Sequence, residues 1–156
     1  MSGMIKRAVA LALALGWLAG TAAAAGDTSS TGLKQLMGEN FQVVGKILTD
    51  LIAARYDSIP AESEAIMKHA DQLMAMPPAS VKSKAERDLF LSYATNLKIA
   101  SSHLMVVTTE LAQRDKEHKG GGEMNIDYLR AVAAEHYGSM VTSCVLCHNQ
   151  FRRHPL

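Results

Sequence analysis

The chain has 156 residues, with 16 Lys and Arg against 15 Asp and Glu, a formal net charge of +1. Such a balance offers no basic face to a polyanion, so nucleic acid is not an expected partner. Aromatic residues are only 5% of the chain, and nine residues are Met. With abundant Ala, Leu, Lys and Glu, the composition favours helix.

Residues 1–27 read MSGMIKRAVALALALGWLAGTAAAAGD. Lys6 and Arg7 precede an apolar run at 8–18, and small residues follow at 22–25. This is the pattern of a secretory signal peptide cleaved after Ala24 or Ala25. The apolar run is shorter than the roughly 20 residues that a membrane span needs. The expectation is therefore a removed leader at 1–25, one exported domain at 26–156, and no membrane span in the mature form.

Four helices and no strand are predicted in the mature chain. The first covers 30–56, where Leu33, Met37, Val44, Leu48 and Leu51 recur at helical spacing and share a face. DSIPAE interrupts it, with Pro60 suited to a first helical turn. The second helix covers 61–76, with Ile66, Leu73 and Met74 inward, and Met76-Pro77-Pro78 stops it. Ser83 and Glu86 form a capping-box pattern before the third helix. There Phe90, Tyr93, Leu97, Ala100, Leu104, Val107 and Leu111 alternate steps of three and four, the seam of a bundle. It frays in RDKEHK before Gly120-Gly121-Gly122. The last helix starts near Asn125 and carries Ile126, Leu129, Ala133, Tyr137, Met140, Cys144 and Cys147 to Phe151. The expected fold class is all-α, an antiparallel four-helix bundle.

The only two cysteines stand in SCVLCHNQFRR, residues 143–153. A disulfide would close a tiny loop and stabilise little. Zinc could use Cys144, Cys147, His148 and His154, at irregular spacing. No βαβ pattern surrounds the pair, as a thioredoxin-like site would require. Cys-x-x-Cys-His is also the attachment pattern for c-type haem. On a helix, Cys144 and His148 are one turn apart on one face, with Cys147 beside them. The two sulfurs can bond the porphyrin vinyl groups while His148 comes under the iron as proximal ligand. One covalently attached haem c near the C-terminus is the expected cofactor. Phe151 can wall the ring. Arg152 and Arg153 can meet its propionates or complement the helix terminus. His69, His103, His118 and His136 read as structural or solvated residues.

The motif CVLCHNQFRR near the C-terminus and LMGENF (36–41) in the first helix resemble the class II cytochromes c. These are the cytochrome c′ family and its low-spin relatives. The resemblance implies a periplasmic haem protein, often a homodimer, that transfers electrons or binds nitric oxide or carbon monoxide. It carries Cys144, Cys147 and His148 over directly. It also implies a distal position about one turn before the Met-Gly step. Alignment on Met37-Gly38 puts Lys34 there, and a one-residue shift puts Leu33. A slide of nearly one turn puts Met37 there, the apt chemistry for a six-coordinate iron. Where the family usually carries an arginine before that position, this chain has Ser30 and Thr31.

The expected function is a monohaem electron carrier acting with redox partner proteins, with Met37 and His148 as metal ligands. The alternative is a five-coordinate protein whose partner is a small gas, with Leu33, Met37 and Phe41 around an open face. A peroxidase would need a distal acid–base group, for which the first helix offers only Lys34 or Glu39. The chain is not expected to be an enzyme.

Overall fold

The structure is a computed structural model and describes residues 28–117 and 124–151. The leader, His118, the glycine run, Arg152, Arg153 and His154 lie outside the described residues. Four helices form: α1 (Thr28–Ile52), α2 (Ile59–Ala75), α3 (Lys84–Glu117) and α4 (Met124–Phe151). There is no strand among the described residues. None of these helices is long and apolar enough to cross a membrane.

Local chemistry sets the helix ends. At the start of α3 the capping box closes: the Glu86 N–H donates to Ser83 Oγ at 3.1 Å, and the Ser83 N–H donates to Glu86 Oε2 at 2.8 Å. Pro60 falls in the first turn of α2, where its missing N–H costs nothing. The Met76 N–H closes α2 on the carbonyls of Gln72 and Leu73, and Pro77 prevents continuation.

The first helix ends at Ile52 rather than at Tyr56. Ala54 takes a left-handed conformation, φ 54°. The Arg55 N–H then donates to the Asp50 carbonyl at 2.8 Å, and the Ala54 N–H to the Leu51 carbonyl at 3.2 Å. That pair of bonds is a Schellman cap, which ordinarily places glycine at the left-handed position. The same turn is locked by a buried carboxylate. Asp50 is 3% exposed and accepts from Lys46 Nζ at 2.8 Å, Arg55 Nε at 2.9 Å and Ser58 Oγ at 2.6 Å. Ser58 stands at the N-cap of α2 but makes no side-chain cap bond there, because its hydroxyl serves Asp50. Lys46 also pairs with Glu62 of α2. One carboxylate thus joins the end of α1 to the start of α2.

The core lies mainly among α2, α3 and α4. Helix α3 packs extensively against both neighbours, while α1 leans on α2 and meets α4 at few points. The stripe expected of α3 is its buried face: Phe90, Leu97, Ala100, Leu104, Val107 and Leu111 are buried, and Tyr93 is half-buried. Ile66 and Leu73 of α2, and Ala133, Met140 and Phe151 of α4, are likewise buried.

Helix α1 requires a correction. Its fully buried apolar residues are Leu36 and Ile47, with Asn40 and Asp50 beside them. The expected stripe sits one position round the helix: Leu33, Met37, Val44 and Leu51 are half-buried, and Leu48 is exposed. The helix carries two adjoining stripes: one is buried, and Leu33, Met37, Val44 and Leu51 of the other pack half-buried against the same core.

Two stability outcomes follow. Lys46, Ser58 and Arg55 hold the Asp50 carboxyl well below the usual carboxylate range. Its contribution is present at neutral pH and is lost as pH falls below about 4 toward the lowered folded value. Lys46 and Arg55 are both more than half exposed, so water takes them back when the carboxylate goes. Asp50→Asn should cost roughly 2 kcal/mol at pH 7, with the gap to the parent closing in acid, as read by urea unfolding across pH. Ala54→Gly should raise stability by about 1 kcal/mol, because an L-residue in the left-handed region is strained by about that amount. Thermal melts of the two proteins check it.

Candidate functional site

The last two turns of α4 carry Cys144, Cys147 and His148. They stay helical because Phe151 anchors them. Its ring packs edge-on against Phe90 at 5.6 Å and Tyr93 at 6.4 Å, and its carbonyl accepts from Ser80 Oγ at 3.0 Å. Edge-to-face aromatic contacts of this kind add stability beyond simple burial.

Because α1 stands off from α4, a cavity of about 550 Å³ opens between them. Met37, Asn40, Phe41, Val44, Gly45 and Leu48 form its α1 wall. Phe90, Tyr93, Ala94 and Leu97 of α3 form its floor, and Leu73 of α2 adds to the lining. Tyr137, Cys144, Cys147 and His148 lie on the α4 wall. The Tyr137 hydroxyl donates across the gap to the Val44 carbonyl, at 3.4 Å.

The cavity has the size and apolar character of a cofactor site. Several wall residues are costly unless something covers them. Phe41 is 81% exposed, Val145 50% and Leu48 41%, an apolar rim beside a hollow. Gly45 sits in mid-helix, at a cost in helix propensity, yet a Cβ there would meet no atom within 4 Å. These features suit a large apolar group.

Both cysteines are free and half-buried. Burial pushes the Cys144 thiol up; burial, and then the neighbouring Cys144, push Cys147 up to about 11. Neutral thiols work against thiol–disulfide exchange, whose nucleophile is the thiolate. Among the described residues, no three His, Cys, Asp or Glu side chains come together as a metal cluster.

Of the distal candidates, Met37 alone lines the cavity. Lys34 is exposed, Leu33 is half-buried outside the lining, and Glu39 is exposed. Phe151 is buried against Phe90 and Tyr93 and is not among the residues that line the cavity. Arg152 lies outside the described residues. His103 and His136 pack edge-on at 5.0 Å between α3 and α4, away from the cavity.

Sequence reasoning missed the α3 floor and the pairing of Asn40 with His69, whose Nδ1 is 2.7 Å from Asn40 Oδ1. The floor was hidden inside a stripe that reads as uniform core. The pair joins residues on different helices, which no local pattern signals. Two other hollows lie elsewhere. One of about 600 Å³ surrounds the ion-paired Asp50 turn, and one of about 700 Å³ is an open groove between α2, α3 and α4. Neither contains a cysteine or a histidine.

Comparison with family models finds no match, and neither curated proteins nor solved structures match the chain.

The cavity itself can be tested. In a packed core, a small-to-large change costs about 1–3 kcal/mol. Ala94 is buried on the cavity floor, so Ala94→Phe should find room. The ligand-free variant should melt no lower than the parent.

Proposed function

We propose that the protein is an exported, periplasmic monohaem c-type cytochrome that carries electrons, built as an antiparallel four-helix bundle. The observation that carries the reading is a single cavity with Cys144, Cys147 and His148 on one wall and Met37 on the other. Short connections between helices that pack in chain order favour the antiparallel arrangement.

In this reading Cys144 and Cys147 would hold a haem covalently through their sulfurs. His148, one helical turn from Cys144, would offer an imidazole nitrogen to its iron, and Met37 on the facing wall would offer a thioether sulfur. When bound, the haem supplies an iron that takes up and returns one electron. The chain's part would be to exclude water, with Phe90, Leu97 and Val44 on the lining, and to hold His148 on the anchored end of α4. Lys34 and Glu39, the acid–base side chains that flank Met37 on α1, both lie outside the lining, which favours a carrier over an enzyme.

A second reading, a five-coordinate iron open to nitric oxide or carbon monoxide, is favoured by the width of the gap between α1 and α4. The two readings differ in one visible spectrum.

The protein is exported in a host with haem-attachment machinery, and its spectrum is taken before and after reduction. A Soret band that survives denaturation, and is lost in the Cys144→Ala/Cys147→Ala double variant, is the expected result. The reduced parent should show a sharp α band, replaced in Met37→Ala by a broad, high-spin visible region. A protein exported without any Soret band would overturn the cytochrome reading. A broad band in the parent itself would transfer the assignment to gas binding.

A further inference from the structure

We infer that Asn40 presents a hydrogen-bond donor to the distal face of the cavity, and that His69 is the residue that positions it. The inference rests on the haem reading and deepens it. Asn40 is 6% exposed and stands one turn after Met37, on the same side of α1. It lines the cavity. From α2, the His69 ring reaches it, with Nδ1 2.7 Å from Oδ1. An amide oxygen only accepts, so Nδ1 carries the proton and donates. That bond turns the oxygen end of the amide toward α2. Its NH₂ end is left for the cavity, with no partner among the described residues.

A plain packing role explains this residue poorly. Asn has low helix propensity, and an apolar side chain of the same volume would fill the position without needing a partner from α2. Among the α1 residues on the lining Asn40 is the one polar side chain, and two hydroxyls of the α4 wall are engaged elsewhere. Tyr137 donates to the Val44 carbonyl and Ser143 to the Ser139 carbonyl. Asn40 is therefore the held polar group of the α1 wall. Glu39 Oε2 lies 3.8 Å from His69 Nε2, beyond hydrogen-bond reach, so the ring is held chiefly through Asn40. A donor placed this way favours any small molecule whose outer atom accepts a hydrogen bond at the distal position.

The test uses the haem-loaded protein carrying Met37→Ala, which vacates that position, with carbon monoxide as the probe on the reduced iron. An N–H donor at the ligand oxygen lowers the carbon–oxygen stretching frequency. Asn40→Leu should raise that frequency. His69→Leu should raise it too, and the double variant should match Asn40→Leu alone, since His69 acts through Asn40. His69→Asn, whose amide N–H can replace the ring donor, should restore the parent value. A merely structural His69 would not give this pattern. An unchanged frequency in Asn40→Leu overturns the proposal, as does an effect of His69→Leu that adds to that of Asn40→Leu. If the Met37→Ala protein carries no haem at all, the cytochrome reading fails with it. If it carries haem whose frequency ignores Asn40, only the present proposal fails.

Discussion

One side of this bundle is incomplete, and the rest of the structure is organised around that fact. Helices α2, α3 and α4 share a packed apolar core, while α1 touches α2 and stands away from α4. A helix that buries only part of its apolar surface has little to hold it, since most helical stability in proteins comes from packing rather than propensity. Two devices compensate. At its C-terminal end, the Asp50 network ties α1 to Arg55, Ser58 and, through Lys46, to Glu62. Midway, Leu36, Ile47 and Asn40 sink one stripe into the core. The other stripe, from Met37 to Leu48, faces the gap. A large apolar group between α1 and α4 would complete the packing that the chain leaves undone.

This arrangement explains which parts of the protein can be read from its sequence. Helix α3 is legible because its neighbours lie on both sides and its stripe is uniformly apolar. The CxxCH cluster is legible because its geometry lies within one turn of one helix. Helix α1 misleads because it carries two adjoining stripes, and the one richer in obvious apolar residues faces the cavity. Its buried stripe is disguised by Asn40 and Asp50, whose burial makes sense only with partners elsewhere. For Asn40 the partner is 29 residues away, and for Asp50 the Ser58 hydroxyl is eight away. Buried polar groups demand partners, but a sequence does not say which. Phe151 is a different case: the aromatic beside the motif pins the end of α4 through Phe90 and Tyr93, which themselves form the floor, a contact no local pattern signals.

The same geometry bears on how the distal ligand is decided. Asp50 and Met37 are 13 residues apart on α1, roughly 20 Å along the axis. The firm attachment of the helix is thus far from Met37. Between them, among the described residues, only the long Tyr137 to Val44 hydrogen bond crosses directly to α4. Small changes in the tilt of α1 therefore move Met37 more than they disturb the core. An axial bond from Met37 would fasten α1 to α4 where the protein has fewest contacts of its own, and ligation and folding would then share one free energy. Without that bond, the same helix leaves a gap wide enough for a diatomic ligand. On the haem reading, electron carrier and gas binder would be two positions of α1 over one cofactor held by α4.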